Sequence, residues 1–384
     1  MDMIAITKID STRLLQLSWV KCGIIFICIF VIVVTSSNSQ TLSEKLYHDI
    51  SDSQLDDFSR IEAVFIISGA ENQMKLNQGL DWYHALLQDI KEKNLIGFDK
   101  IPSAEKLFLY LHTSWLKDYK ERATTLFDIQ ARKEYNCVSA TVLYNLICDE
   151  VGFSTEAFET PSHVYTIFRD VTEQVMVENT TSMGFNIMKN LDRYSQYLLQ
   201  YYPQNEALKI GLDRIYAYEH SNGRRINNTE LLGLICYNLA IFNSENKNYE
   251  KAYDYVELAQ LFNTDSRSNR KFEISLYYRW GGELFKAKKF YEAFEVTADA
   301  NYRYPDNEDF KRNCLNAFIN GLRQLWIQKD WNKTESIILE MDDLNILTKR
   351  ELTIQHQVLN DWIAYHSIHQ QSENAKRAKE LMEK

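Results

Sequence analysis

Residues 135–181 read YNCVSATVLYNLICDEVGFSTEAFETPSHVYTIFRDVTEQVMVENTT, and the fold prediction rests on this stretch. Cys137 opens an apolar run with helical spacing, His163 lies in an alternating segment that follows it, and Glu178 lies in the next alternating segment. A cysteine nucleophile needs these three residue types as thiol, base and orienting carboxylate. The stretch therefore predicts a helix followed by a β-hairpin, with a thiol site between them.

The predicted helix begins at Cys137. Asn136 is a favoured N-cap residue, and Gly152 is a typical helix terminator. In the first turn, amide groups without helical partners and the positive end of the helix dipole favour a thiolate, and the same amides can bind an oxyanion. We therefore predict a reactive thiol at Cys137, with an oxyanion site formed at Asn136 and the first turn.

The predicted hairpin brings the histidine and the glutamate together. Segments 163–170 (HVYTIFRD) and 173–179 (EQVMVEN) both alternate between polar and apolar residues. A hairpin closed around Asp170–Val171 sets His163 directly opposite Glu178, with Cβ atoms about 4.5–5.5 Å apart. The alternative interpretation is a polar cross-strand pair on a solvated face, which the spacing alone does not exclude.

The composition is that of a globular protein rich in helices. Hydrophobic residues make up 45% and charged residues 25% of the 384 residues, and this length has room for two domains. The chain contains only 12 Gly and 4 Pro, which favours long helices over many turns. The net charge of −10 has no compensating basic patch, so we expect no nucleic-acid partner.

Residues 1–39 have the pattern of a targeting segment. The uncharged run 22–34 (CGIIFICIFVIVV) follows three basic residues and precedes small polar ones. This pattern predicts either a secretory signal peptide cleaved before Gln40 or a signal anchor that contacts the inner membrane through residues 17–36 as a transmembrane helix. In both cases residues 40–384 are predicted to be exported, to the periplasm or cell envelope.

The other cysteines and the histidines carry no metal motif. Cys148, Cys236 and Cys314 lie among apolar residues of helical patterns and are predicted to be buried hydrophobic residues. No CxxC pair or Cys/His cluster is present, and His366 and His369 have no acidic or cysteine partner that makes a metal site. We therefore expect neither a metal nor a cofactor. Three further histidines are predicted to be ordinary surface or core residues: His48, His84 and His112.

The region before the nucleophile is predicted to contain helices and one loop. A short helix is expected within residues 41–60, a longer one over residues 74–94, and a third with Ser103 as its N-cap. Residues 118–136 are charged and without a clear period, so they are predicted to be a loop. In this loop Gln130 is a candidate side-chain donor to the oxyanion, by analogy with other thiol enzymes.

Residues 195–384 are predicted to be helical repeats. The segments NYEKAYDYVELA, KFYEAFEVTADA and DWNKTESIILEM align, with Tyr249, Phe290 and Trp331 recurring every 41 residues. Small residues recur at fixed positions of the first two units, where two helices can cross closely, and larger ones replace them in the third unit. We assign the length in excess of a 34-residue repeat to the loop around residues 262–272 and its flanks. The aligned positions are Ala240, Ala252 and Ala259, then Gly281, Ala293 and Ala300, then Leu322, Thr334 and Met341.

Roughly residues 45–190 resemble the transglutaminase-like superfamily, in its bacterial branch with an N-terminal helical region. The resemblance rests on NCVSATVLYNLICDEVG with Cys137, PSHVYTIF with His163 and VENTTSMG with Glu178. It implies an α+β fold of the papain/transglutaminase-like type, a core helix packed on a small antiparallel sheet, with these three residues as a catalytic triad. The chain departs from the family at Glu178, where aspartate is usual, and at Asn136, near which glycine is commoner.

The second half resembles tetratricopeptide repeats, and a generic helical bundle is the alternative. The predicted organisation is therefore a targeting segment (1–39), a transglutaminase-like domain (40–190) and an all-α repeat domain (195–384). Repeat arrays are mostly interaction surfaces, so we expect a peptide or protein as substrate or partner. The oligomeric state is open.

Two functions follow from this organisation. The first is an enzyme in which the thiol attacks an amide and the acyl group passes to water or to an amine, as in a cysteine peptidase, an amidase or a transglutaminase. The second is an inactive fold of the same type that serves as a protein–protein interaction scaffold in the cell envelope.

Overall fold

The computed structural model describes residues 40–171, 173–189, 214 and 221–383. These residues form an α+β protein that is mostly helical, with small sheets. The predicted targeting segment, residues 1–39, lies outside the described residues. Within them no helix is both long and apolar enough to cross a membrane. The prediction of a transmembrane helix is therefore corrected for the described residues. Residues 17–36, where that helix was predicted, lie outside them.

Within the described residues, five α-helices precede the helix that begins at Cys137. The first and second begin with capping boxes, Thr41 with Glu44 and Ser59 with Glu62, in which the side chains and backbone amides bond reciprocally. The helices are α1 (Leu42–Asp49), α2 (Arg60–Ile67), α3 (Gln73–Glu92), α4 (Lys100–Ser114) and α5 (Leu126–Arg132), with a 3-10 turn at Ile50–Asp52.

Two predictions in this region are wrong. Helix α4 starts at Lys100, and Ser103 lies inside its first turn, where its hydroxyl donates to the Asp99 carbonyl at 2.7 Å. The predicted loop at residues 118–136 contains α5 and the paired strands β1 (Asp118–Tyr119) and β2 (Glu134–Tyr135). A capping box of Thr125 with Asp128 starts α5, and this helix of 7 residues is too short to show a period in the sequence.

The helix predicted at Cys137 is confirmed as α6 (Cys137–Glu150). Asn136 is its N-cap, and the Asn136 side-chain oxygen accepts from the amides of Val138 and Ser139, both at 3.0 Å. Gly152 follows the helix with φ +76°, a conformation that glycine adopts without strain. Helix α6 packs on a sheet of order β5-β4-β3-β6, with strands β3 (Ser154–Glu159), β4 (Val164–Arg169), β5 (Gln174–Val177) and β6 (Arg224–Ile226).

The hairpin exists, but its register differs from the prediction by two residues. Strand β4 pairs with β5 so that Arg169 faces Gln174, and the turn closes through the Asp170 amide, which donates to the Glu173 carbonyl at 3.0 Å. His163 and Glu178 are therefore diagonal neighbours, each one residue beyond its strand. A shift of two residues keeps both side chains on one face, because side chains alternate with a period of two.

The first helix pair of the C-terminal half shares a core with the sheet. Strand β6 lies past the predicted boundary at residues 190–195 and pairs with β3. Buried residues of the following helix, α7 (Leu232–Glu245), join the cluster that contains α6; among them are Leu232, Ile235 and Cys236. The sheet and this helix pair therefore stabilise each other.

Residues 232–382 form helix pairs with a strict period. The second helices, α8 (Tyr249–Phe262), α10 (Phe290–Arg303), α12 (Trp331–Leu344) and α14 (Ser372–Met382), begin 41 residues apart. The residue in the left-handed turn before each of them also recurs every 41 residues, with φ near 60°: Lys247, Lys288, Lys329 and Gln370. The structure thus contains a fourth unit, which the alignment of three segments within the sequence did not include.

In the second, third and fourth pairs the extra length lies in the first helix, whereas α7 of the first pair has 14 residues. The three longer helices are α9 (Arg267–Lys286), α11 (Glu308–Gln328) and α13 (Lys349–Ile368), with 20, 21 and 20 residues. Most of the loop predicted at residues 262–272 is therefore the start of α9. The aligned small positions are buried as expected, and a Cβ at Gly281 would come within 3.1 Å of the Thr297 methyl group.

Candidate functional site

Cys137 lies in the first turn of α6 with a partly exposed side chain. The other described cysteines, Cys148, Cys236 and Cys314, are fully buried, as predicted, and no disulfide joins any of these four. Burial raises the pKa of the Cys148 and Cys236 thiols strongly and that of Cys314 to about 12. Within the described ranges, Cys137 is therefore the thiol that a reagent or a substrate can reach.

His163 and Glu178 form a buried pair beside this thiol. The His163 Nε2 atom lies 2.7 Å from the Glu178 Oε2 atom, and the two side chains are 2% and 0% exposed. The Cys137 side chain is close enough to the His163 ring to help raise its pKa. Because Nε2 faces the carboxylate, Nδ1 is the ring nitrogen available to the sulfur. The structure thus brings all three predicted residues together.

The charge state of His163 follows from these neighbours. Burial alone would lower the pKa of His163, but the negative charge of Glu178, the nearby Cys137 side chain and the hydrogen bond to Glu178 outweigh it. The pKa of His163 is therefore raised well above its ordinary value. A protonated imidazole donates through both ring nitrogens, to the carboxylate on one side and to the sulfur on the other.

A tight loop fixes the Glu178 carboxylate. Its Oε1 atom accepts from the Thr180 amide at 3.0 Å and from the Thr180 hydroxyl at 2.7 Å. The Glu178 amide donates to the Gly184 carbonyl at 3.0 Å. A Cβ at Gly184 would lie 1.9 Å from the Glu178 carbonyl oxygen, so this close approach requires glycine. The backbone of His163 is fixed in a similar way by Thr160, whose hydroxyl accepts from the His163 amide at 3.0 Å.

Both side chains predicted as oxyanion donors, Asn136 and Gln130, have hydrogen-bond partners in the structure. The Asn136 side chain is committed to capping, and its Nδ2 atom donates to the Glu121 carbonyl at 2.9 Å. Since Asn136 also occupies the amides of Val138 and Ser139, the Cys137 amide remains as the first-turn donor that can face an oxyanion. Gln130 donates to the Gln78 carbonyl at 3.3 Å, on the side of α5 that faces α3.

His112 lies closer to the site than the sequence suggested. Its ring packs on Phe108 and Tyr135, and its charge interacts with that of Glu178. Burial lowers the pKa of His112 to about 4, and Glu178 opposes this shift only partly. His112 is therefore neutral at pH 7 and belongs to the apolar support behind the site.

Three residues that support the site were not singled out from the sequence: Thr160, Thr180 and Gly184. Thr180 and Gly184 stand in the ENTTSMG segment, and an acidic residue followed two positions later by threonine is a signal for a local side-chain to backbone turn.

Among the described residues no group of three or more Cys, His, Asp or Glu side chains could hold a metal ion.

The comparisons with known proteins add little to this description. No protein-family model and no curated protein matches the sequence. The descriptions transglutaminase-like and tetratricopeptide repeat are therefore corrected, because no matched family supports them. They rest only on resemblances in residues and spacing. Among solved structures the chain is similar to menin, in a structure described as revealing its binding site for the Mixed Lineage Leukemia protein. The identity is 13% over 78% of this chain and 82% of that chain, and the TM-score of 0.29 carries no argument.

Replacing Gly184 by alanine tests the close approach at Glu178. We expect Gly184→Ala to lower the free energy of unfolding by about 1–3 kcal/mol, because the new methyl group must displace the Glu178 backbone. Gly282→Ala is the matched control, since nothing lies within 4 Å of its added Cβ in α9. That variant should be stabilised by up to about 1 kcal/mol. Equal urea midpoints for Gly184→Ala and the unmodified protein would contradict the geometry.

The buried His112 predicts a pH dependence of stability. In the unfolded chain a histidine binds a proton below about pH 6.5, whereas folded His112 does so only near pH 4. Stability from this residue is therefore present above pH 6.5 and is lost as the pH falls toward 4. Between pH 7 and pH 5 the unmodified protein should lose about 2 kcal/mol more than His112→Phe, measured by urea unfolding. The same substitution at the exposed His84 is the control, and parallel pH profiles for the unmodified protein and His112→Phe would refute the prediction.

Proposed function

We propose that Cys137, His163 and Glu178 are the catalytic triad of a cysteine acyl-transfer or amide-hydrolysis enzyme. The observation that carries the proposal is the buried pair of His163 and Glu178, 2.7 Å apart, beside a partly exposed thiol at a helix N-terminus. We also propose the finer fold assignment, a transglutaminase-like domain followed by tetratricopeptide-like helix pairs. The packing of α6 on an antiparallel sheet and the 41-residue period support that assignment.

The charge distribution supports a thiolate–imidazolium pair as the resting state. The raised pKa of His163 means that both ring nitrogens carry a proton at neutral pH, which places a positive charge beside the sulfur. The N-terminal end of the α6 dipole lies at the sulfur and favours its negative charge. A thiolate is the nucleophilic form of cysteine, so this pair supplies the nucleophile without a separate base.

The reaction then proceeds in two halves. The Cys137 sulfur attacks the carbonyl carbon of an amide, a C–S bond forms, and the carbonyl oxygen becomes an oxyanion that the Cys137 amide can bind. When the C–N bond breaks, His163 gives its proton to the leaving amine, and a thioester remains on the enzyme. Water or a second amine then loses a proton to His163 and attacks the thioester carbonyl. The C–S bond breaks, which releases an acid or a new amide and restores the Cys137 thiolate beside the protonated His163. Glu178 keeps the imidazole oriented in both halves.

The helix pairs favour a second role, the binding of a peptide or protein partner. Residues 232–382 contain four stacked pairs, and such arrays usually serve as interaction surfaces. In the enzyme, this surface would bring the substrate to the thiol. In the alternative, the triad residues are retained without activity and the whole chain acts as a scaffold.

Thiol labelling separates these roles. At pH 6 iodoacetamide should label Cys137 of the purified protein at least about tenfold faster than a free peptide thiol, because the neighbouring imidazolium and the helix N-terminus favour the nucleophilic thiolate form. His163→Ala should abolish the difference, since it removes the cation that holds the thiolate. Mass spectrometry of tryptic peptides identifies the labelled residue.

The chain contains its own controls for this experiment. Cys148, Cys236 and Cys314 should react only after denaturation, because they are fully buried. His84→Ala removes an exposed histidine and should leave the rate unchanged. If Cys137 reacts no faster than the peptide thiol at pH 6, the enzymatic proposal fails and the scaffold role is preferred.

A further inference from the structure

A row of buried polar side chains crosses the interface between α6 and the sheet. Its members are at most 6% exposed, although most of the surrounding residues are apolar. Polar groups in such a place are costly unless they are hydrogen-bonded, so a nearly continuous set of partners requires explanation. The Asn179 Oδ1 atom is the exception in this row, since it has no hydrogen-bond partner among the described residues. The row consists of Thr141, Asn145, Thr166, Asn179 and Asn228.

The hydrogen bonds of this row run in one direction. The Asn179 Nδ2 atom donates to the Thr166 hydroxyl at 2.8 Å, and Thr166 donates to the Asn145 side-chain oxygen. The Asn145 amide donates to the Asn228 oxygen at 2.8 Å, and Asn228 donates to both carboxylate oxygens of Asp149 at 3.0 Å. Along this series each donor therefore meets an acceptor on the next residue, as in a cooperative chain.

The far end of the row is anchored at the protein surface. Asp149 forms an ion pair with Arg60 at 3.0 Å, next to a cavity of about 740 Å³ at the C-terminal end of α6. The near end is at the thiol site, because Asn179 directly follows Glu178 in the chain. The row thus spans the length of α6, from the triad to Asp149.

At its near end the row connects the three segments that carry the triad. The Asn179 Nδ2 atom also lies 3.3 Å from the Thr141 hydroxyl, and Thr141 stands one helical turn after Cys137 on α6. The Thr141 hydroxyl in turn lies 3.5 Å from the carbonyl of Val164, the residue after His163. Asn179 is therefore the side chain at which the nucleophile helix, the histidine strand and the glutamate segment meet.

We infer that Asn179 is a positioning residue, which holds Glu178 and His163 in register with Cys137 through its hydrogen bonds to Thr166 and Thr141. The inference rests on the thiol function proposed above. An apolar side chain would fill the same space, but its contacts are not directional and would let α6 shift along the sheet. Reacting groups need to be held within about 0.5 Å, and hydrogen bonds to fixed partners on two elements provide that constraint.

Two variants test the inference without touching the triad. Asn179→Ala removes the donor, and Thr166→Val removes its main partner at nearly constant shape. Each should slow iodoacetamide labelling of Cys137 at pH 6 by about tenfold and should move the midpoint of the labelling profile to higher pH by about one unit. Asn269→Ala is the matched control, because Asn269 is a buried asparagine of the repeats whose Nδ2 donates to the Ala259 carbonyl at 2.9 Å.

The labelling rates must be read beside the urea midpoints of the same proteins. A purely structural role predicts that Asn179→Ala and Thr166→Val lower the midpoint, as Asn269→Ala does, with the rate and pH profile of the folded protein unchanged. That outcome overturns the inference while the proposed function stands. Should Asn179→Ala fail to fold, the Thr166→Val profile decides alone. If Cys137 of the unmodified protein is labelled slowly and His163→Ala does not change that rate, the proposed function is refuted, and the inference is refuted with it.

Discussion

The Glu178 carboxylate has no exposure to solvent, and its burial constrains the structure around it. Removing the Glu178 charge from water costs several kcal/mol, and the folded chain offsets this with a histidine on one oxygen and two donors of Thr180 on the other. Breaking such a pair by removing one partner costs about 3–5 kcal/mol, so the loop, the hairpin and the histidine must form together. The raised pKa of His163 is the consequence that matters for chemistry.

The supporting structure is arranged around that pair. Gly184 lets the loop approach the Glu178 backbone, and Thr160 fixes the backbone of His163. Asn136 caps α6 so that the sulfur of the next residue lies at the positive end of the helix dipole. The polar row behind the triad links α6 to the sheet over its whole length. The first helix pair closes the same core, which connects the repeats mechanically to the thiol site.

The sequence was most informative where the signal is local. Asn136 followed by an apolar run predicted α6 to within a residue, and aromatic and small residues revealed the 41-residue period. The hairpin was predicted with a register two residues off, because the charged turn at Asp170–Glu173 does not specify which residues close it. A difference of two residues leaves His163 and Glu178 on the same face of the sheet, so the predicted contact between them is still formed.

Features that depend on distant residues were not accessible in this way. The short α5 has a cap but no measurable period, and strand β6 joins the sheet from beyond the expected boundary. The fourth helix pair lacks the aromatic residue that marks the other three, since Ser372 stands where they have Tyr, Phe or Trp. The bond between Asn145 and Asn228 joins residues 83 positions apart, and no single-sequence pattern indicates such a contact.

The protonation state of the His163 ring at neutral pH decides whether the buried carboxylate holds a positive charge beside the thiol. It can be read from the ring ¹⁵N chemical shifts of a protein labelled at its 8 histidines, with His163→Ala used for the assignment. His163 should be doubly protonated at pH 7.5, and Glu178→Gln should make it neutral at the same pH, because the charge that raises its pKa is gone. A ring that is already neutral at pH 7.5 in the unmodified protein, or one that titrates near pH 6.5 with or without Glu178, would contradict this prediction.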